Sequence, residues 1–240
     1  MTLVTAYDYP TGRLLDEAGV DIVLVGDSLG MVVLGFPDTT HVTLDHMLHH
    51  VEATARGVKN ALLVGDMPIH SYDTVEQAVQ SAKKLFLAGA DAVKLEGGAA
   101  QAGNIRAIVE AGIPVVGHIG LLPQKVLEEG GYKIKGKSSA EEEALVRDVE
   151  AVAEAGACAV VVEGVTPHAA RQVTVHSSIP TLGIGSGSHT CDGDVVVIHD
   201  LVGAFPWFIP AFVKPRADVA GSMTAAVKEW MEDCYTEPGS

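Results

Sequence analysis

The sequence predicts a (β/α)8 barrel, and three observations carry the prediction. Eight short apolar runs rich in β-branched residues recur along the 240 residues. Helical patterns separate most of them. Each strand–helix unit takes about 30 residues, the length of a minimal βα unit. The runs are continuous rather than alternating, as in Val23-Leu24-Val25 and Val160-Val161-Val162. Continuous runs mark parallel strands buried on both faces, and eight such units close into a barrel.

In chain order the strands are expected at Leu3–Ala6, Asp21–Val25, Ala61–Val64, Ala92–Leu95, Pro114–Gly117, Ala157–Val162, Pro180–Ile184 and Val195–Ile198. Helices are expected over about 11–18, 43–57, 74–88, 100–111, 139–155, 167–175 and 222–233. Four joints share one form: Glu17-Ala18-Gly19-Val20, Leu87-Ala88-Gly89-Ala90, Glu110-Ala111-Gly112-Ile113 and Glu154-Ala155-Gly156-Ala157. In each, a glycine stops the helix before the next strand. The competing architecture is an open doubly wound sheet. It usually carries a phosphate loop after its first strand, and Tyr7-Asp8-Tyr9-Pro10 is not one. No linker divides the chain, so residues 1–240 read as a single barrel domain. The Gly- and Lys-rich stretch Glu128–Ser139 is long for a βα loop and reads as an active-site loop.

Composition narrows the function. Apolar residues at 48% and charged residues at 20% describe a folded globule. A net charge of −15 repels nucleic acid and anionic membranes, so neither is expected as a partner. No apolar stretch approaches a membrane span, and no secretory leader is visible, so a cytoplasmic location is expected. Cys158, Cys191 and Cys234 are few and widely spaced, which suits neither a disulfide framework nor a zinc site.

In a barrel, chemistry collects at the carboxyl ends of the strands. Strand 2 ends in Gly26-Asp27-Ser28 and strand 3 in Gly65-Asp66. Strand 4 contains Lys94 and ends in Glu96-Gly97-Gly98. Strand 5 ends in His118, strand 6 in Glu163, strand 7 in Gly183-Ile184-Gly185-Ser186-Gly187, and strand 8 in His199-Asp200. Asp27, Asp66 and Glu96, on neighbouring strands, form an oxygen-rich set suited to a hard cation. Mg2+ takes one or two carboxylates together with waters and substrate oxygens. The bland readings are concrete. Asp27 and Asp66 can serve as helix N-caps, Lys94 as half of a buried ion pair, and His118 as a satisfied core histidine. His46, His49 and His50 read as a solvated helix face.

These residues also lie in phrases that resemble the ketopantoate hydroxymethyltransferase family. The phrases are Thr5-Ala6-Tyr7-Asp8-Tyr9, Val25-Gly26-Asp27-Ser28-Leu29-Gly30-Met31, Gly65-Asp66-Met67-Pro68 and Val93-Lys94-Leu95-Glu96-Gly97-Gly98. Further on come Gly117-His118-Ile119-Gly120-Leu121-Leu122-Pro123-Gln124, Gly130-Gly131-Tyr132-Lys133, Gly183-Ile184-Gly185-Ser186-Gly187 and Ile198-His199-Asp200. They run in family order from residue 5 to about residue 215. The resemblance implies a (β/α)8 barrel of the phosphoenolpyruvate/pyruvate-binding (TIM barrel) type. It implies a one-carbon transferase of pantothenate and coenzyme A biosynthesis. This enzyme would move a hydroxymethyl group from 5,10-methylenetetrahydrofolate to 3-methyl-2-oxobutanoate with Mg2+. By motif position, Asp27, Asp66 and Glu96 are the implied metal group. Asp27, Ser28, Asp66 and Lys94 are the implied keto-acid contacts, with His118 beside them, and Glu163 is the implied catalytic base. A homo-oligomer acting on small molecules is implied as well. The sequence departs from the family in lacking an N-terminal helix before strand 1, and in Ala211, Gly164-Val165-Thr166 and His41.

Three alternatives stay open on the residues alone. One is a Mg2+-dependent carbon–carbon lyase or mutase of the isocitrate lyase and phosphoenolpyruvate mutase kind. No cysteine here lies in the Lys-Lys-Cys-Gly-His context those lyases use. The second is an aldolase with Lys94 as Schiff-base nucleophile, and the third a non-catalytic keto-acid-binding barrel. The lysines 125, 133, 135 and 137 offer either a cationic partner for the folate tail or a solvated counterweight to nearby glutamates.

Overall fold

The structure, a computed structural model, describes residues 1–235. Among these, eight parallel strands close into a barrel in sequence order. They are β1 (Thr2–Thr5), β2 (Ile22–Val25), β3 (Leu62–Asp66), β4 (Ala92–Lys94), β5 (Val115–Gly120), β6 (Ala159–Glu163), β7 (Thr181–Ile184) and β8 (Gly193–Val196). Pairing of β1 with β8, Thr2 opposite Asp194 and Val4 opposite Val196, shuts the cylinder. The longer helices between strands are α1 (Tyr9–Ala18), α3 (Leu44–Ala55), α4 (Val75–Leu87), α5 (Ala102–Glu110), α7 (Ser139–Glu154) and α8 (Pro167–His176). Short helices α2 (Leu29–Val32) and α6 (Val126–Glu129) lie in the loops after β2 and β5. Helices α9 (Ile198–Leu201) and α10 (Val219–Tyr235) follow β8.

Side-chain chemistry sets these boundaries. Helix α1 starts where Asp8 accepts from the Thr11 N–H and Pro10 enters the first turn, and it stops at Gly19 with φ 80°. Thr43, Thr74, Ser138 and Thr166 cap α3, α4, α7 and α8 in the same way. On α3, His46 completes the cap by accepting from the Thr43 N–H, while His50 bonds the Tyr7 carbonyl at 2.6 Å. That gives two of the three helix histidines backbone partners.

The barrel interior is filled by Leu3, Ile22, Leu24, Val64, Ala92, Val116, Ala159, Val161 and Leu182. Strand side chains alternate with period two. The next inward positions toward the carboxyl ends are therefore Asp66, Lys94, His118 and Glu163, two residues beyond Val64, Ala92, Val116 and Val161. An apolar plug of this kind forms the floor, and the polar layer stands directly on it.

Strand β8 lies two residues earlier than the apolar run suggests. Gly193 and Asp194 are held in the sheet by pairing with Leu182 and Gly183 of β7. Val197 leaves the sheet in extended form, and Ile198 opens α9. His199 and Asp200 are thus helical rather than strand-terminal.

The chain divides into two compact units, Met1–Val196, which contains the whole barrel, and Val197–Ser240. In the second unit none of the α10 residues is buried. Met223, Val227, Trp230, Met231 and Tyr235 are exposed along it, as are Trp207, Phe208, Ile209 and Phe212 before it. No described helix is long and apolar enough to cross a membrane.

Candidate active site

Asp66 ends β3 and Lys94 ends β4, directly opposite each other in the register. Both are almost fully buried. Lys94 Nζ donates to both Asp66 carboxylate oxygens at 2.7 Å, and the Asp27 N–H adds a third bond to Asp66 at 3.2 Å. Burial pulls the Lys94 ammonium down, but the charges of Asp66, Asp27 and Glu96 more than offset it, so its proton is held above the ordinary lysine value. A Schiff-base nucleophile needs a free amine, and this lysine is held as a cation.

Asp27 follows β2 and Glu96 follows β4. Both are buried. Burial pushes the Asp27 carboxyl up to about 7; the Asp66 charge adds to the rise, while Lys94 and a bond from Gln124 oppose it. Burial, and then the Asp27 charge, push Glu96 well above the usual carboxylate range. Negative charge is crowded here beyond what Lys94 neutralises.

His118, inward on β5, lies between two carboxylates. Its Nδ1 is 3.5 Å from Glu96 Oε1 and its Nε2 is 3.3 Å from Glu163 Oε2. None of the two ring nitrogens and Glu96 Oε1 completes a hydrogen bond of good geometry. Glu163, at the end of β6, is the open member: its side chain is 23% exposed against 2% for His118. Gly120 of β5, opposite Glu163, has φ 97°, and a Cβ there would meet the Glu163 carbonyl oxygen at 2.3 Å. Ser28 bonds the Tyr7 hydroxyl at 2.8 Å beside Asp27.

Two participants gave no signal in the sequence. Gln124, in the 3-10 turn Pro123–Lys125 after β5, and Tyr72, before α4, are both buried. Gln124 donates from its backbone N–H to Glu96 (3.1 Å) and from its amide to Asp27 (2.8 Å) and the Met67 carbonyl (3.0 Å). Tyr72 donates to the Gln124 amide oxygen.

The loop after α6 is tied to the strand that carries Glu163. Lys135 pairs with Val165 as an isolated bridge, donating its N–H to the Gly164 carbonyl and accepting from the Thr166 N–H. Lys135 and Lys133 reach the carboxylate and carbonyl of Glu129, so two of the three loop lysines are engaged within the loop. After β7, the Ser186 hydroxyl donates to the Val162 carbonyl of β6 and locks that turn from within.

A hard cation needs several oxygen donors around one point. Among the described residues, no group of three or more His, Cys, Asp or Glu side chains stands ready around one point. Asp66 accepts from Lys94 through both oxygens, and its Oδ1 keeps a second lone pair. Asp27 and Glu96 are each engaged through one oxygen by Gln124, and Glu96 Oε1 lies 3.5 Å from His118 Nδ1 without a hydrogen bond of good geometry. Carboxylates completed by waters and substrate oxygens suit Mg2+, so Asp27 and Glu96, with Asp66 beside them, fit that ion.

Comparison with known proteins agrees with the site. Among solved structures, a phosphoenolpyruvate phosphomutase from Streptomyces platensis subsp. rosaceus superposes with TM-score 0.69 at 18% identity, over 95% of this chain and 83% of that one. A phosphonopyruvate hydrolase in complex with oxalate and Mg2+ gives 0.65 at 15% identity, over 99% and 94%. At such identities the likeness is one of fold, a (β/α)8 barrel. The sequence comparison reaches further. A 3-methyl-2-oxobutanoate hydroxymethyltransferase from Ignicoccus hospitalis is 50% identical over 97% of this chain and 88% of its own length. The family model described as Ketopantoate hydroxymethyltransferase matches residues 1–238, so every strand of the barrel and every residue of the polar layer falls within it, and the chain belongs to the ketopantoate hydroxymethyltransferase family.

Proposed function

We propose that this chain transfers a hydroxymethyl group from 5,10-methylenetetrahydrofolate to 3-methyl-2-oxobutanoate, giving 2-dehydropantoate (ketopantoate). The observation that carries the reading is the inward layer of Asp66, Lys94, His118 and Glu163 standing on an apolar floor, with Asp27 and Glu96 beside it. Asp27 and Glu96, with Asp66 beside them, would hold Mg2+, and the bound ion would supply Lewis acidity toward the keto oxygen and the neighbouring C3–H.

The protein's own groups do the rest. Lys94 carries a fixed positive charge that the substrate carboxylate can approach, sharing it with Asp66. Ser28, oriented by Tyr7, offers a hydroxyl to the same end of the keto acid. Glu163 takes the C3 proton as general base. Its side chain, 23% exposed, can face substrate, while His118 Nε2 lies 3.3 Å from its Oε2. Water entering from the mouth supplies the hydroxyl oxygen as the methylene carbon leaves both folate nitrogens, C3 forms the new carbon–carbon bond with that carbon, and tetrahydrofolate is released. The apolar floor beneath excludes water from the side opposite the mouth.

The lyase reading uses the same barrel but gains no support from the relatives, which are named hydroxymethyltransferases. The homo-oligomer has a candidate surface in the exposed apolar stripe Met223, Val227 and Trp230 of α10, spaced to share one helix face. Light scattering of the full chain tests that point.

Proton exchange tests the mechanism without folate. With Mg2+ in D2O, the wild type exchanges the C3 proton of 3-methyl-2-oxobutanoate, followed by NMR. Glu163→Gln keeps the shape, binds the keto acid and exchanges at least about 100-fold more slowly. Wild-type exchange in that variant removes Glu163 from the role of base.

A further inference from the structure

We infer that Gln124, steadied by Tyr72, is a positioning residue that sets the affinity of the Asp27–Glu96 pair for a divalent cation. The inference rests on the reading that these two carboxylates hold Mg2+, and it extends that reading to two residues that touch neither the ion nor the substrate.

Gln124 engages both carboxylates. Its backbone N–H binds Glu96 Oε2 and its amide binds Asp27 Oδ2. Each bond takes the oxygen labelled 2 and fixes the plane of the carboxylate. Glu96 Oε1 is left buried, 3.5 Å from His118 Nδ1 and without a completed hydrogen bond. A buried carboxylate oxygen without a partner is costly, and a cation satisfies it.

The orientation of the amide is forced. Its NH2 has two hydrogens, and both neighbours on that side, Asp27 Oδ2 and the Met67 carbonyl, can only accept. The amide oxygen faces the Tyr72 hydroxyl, which donates to it. Turning the amide over would set an oxygen against two acceptors. Tyr72 is in turn fixed through its backbone carbonyl, which accepts from the Asn104 side chain at 2.8 Å. The chain Asn104–Tyr72–Gln124–Asp27 thus leads from α5 to the carboxylate. Groups that orient metal ligands from behind typically change metal affinity by about 10–100-fold when removed.

The Kd for Mg2+ is measured by calorimetric titration of the full chain without substrate, alongside urea midpoints. Gln124→Met keeps the length and the backbone N–H but removes both amide donors. It is expected to raise the Kd at least about tenfold. Tyr72→Phe removes one hydroxyl and is expected to raise it about threefold, a smaller step because the amide itself remains. Tyr72 acts through Gln124, so the double variant should bind no more weakly than Gln124→Met alone. A merely structural Gln124 would lower the urea midpoint and leave the Kd of the folded variant unchanged, and that result overturns the inference. If Gln124→Met does not fold, Tyr72→Phe decides: a wild-type Kd overturns the inference and a raised one supports it. A wild type that binds no Mg2+ removes the cation reading and this inference together. A wild type that binds, beside variants that bind equally well, removes only the inference.

Discussion

Lys94→Met is the most informative perturbation of stability, because Lys94 and Asp66 are buried together in the polar layer. Two N–H···O contacts of 2.7 Å link them, which at an effective dielectric near 20 corresponds to about 4–6 kcal/mol of attraction. Much of this is offset by the desolvation of the two charges, so the pair is a poor net stabiliser. Its removal from one side is another matter. Met fills the space of the lysine stem, so little packing is lost, but Asp66 is left buried without its cation. Breaking a buried pair this way costs about 3–5 kcal/mol. Asp66→Asn in the same background removes the orphaned charge and should return the protein to within about 2 kcal/mol of wild type. Urea unfolding of the four proteins at pH 7 gives the cycle, with an expected coupling of at least about 2 kcal/mol. A Lys94→Met loss below about 1 kcal/mol, or two single losses that simply add, would refute the reasoning.

Other consequences follow from the same geometry. Gly120→Ala places a Cβ 2.3 Å from the Glu163 carbonyl oxygen at φ 97°; it should cost about 1–3 kcal/mol in urea and lower kcat by moving the base, while Gly103→Ala, with open space at its Cβ, should be neutral in both assays. EDTA should abolish turnover and excess Mg2+ should restore it; full activity in EDTA contradicts the cation reading. Asp16 accepts from the backbone N–H groups of Ala61 and Asn60, which hold its carboxyl at about 2 against an ordinary 3.8. A depressed folded value means its contribution is complete above 3.8 and is lost as the pH falls through about 2, so the advantage of wild type over Asp16→Asn in urea midpoint should shrink across that window. An advantage that stays constant there sinks the assignment.

The sequence discloses the parts of this protein that obey a period. Seven strands lie where continuous β-branched runs place them, because burial on both faces demands such runs. The eighth is displaced, since Gly193 and Asp194 have little strand character of their own and are recruited by their neighbours β7 and β1. The start of α1 at Tyr9 is announced by Asp8 and Pro10, a capping signal stronger than the apolar pattern that begins at residue 11. The charged members of the site stand out because Asp66, Lys94 and Glu163 interrupt or end apolar strands where a charge has no other reason to be. Gln124 and Tyr72 do not stand out. They lie in irregular loops, and their contacts depend on how the turns after β3 and β5 fold over the barrel mouth. The sequence offers Lys94 as half of a buried ion pair, but chain order gives adjacency of strands and not which carboxylate it meets; the partner is Asp66.

The central claim is a carbon–carbon bond made at this barrel mouth, and its most direct measurement is product formation. The purified full chain is incubated with 3-methyl-2-oxobutanoate, 5,10-methylenetetrahydrofolate and Mg2+, and ketopantoate is followed by mass spectrometry. The account predicts ketopantoate that accumulates with turnover in wild type and falls at least about 100-fold in Glu163→Gln. Keto acid that binds, with no ketopantoate formed by the wild type, would contradict it.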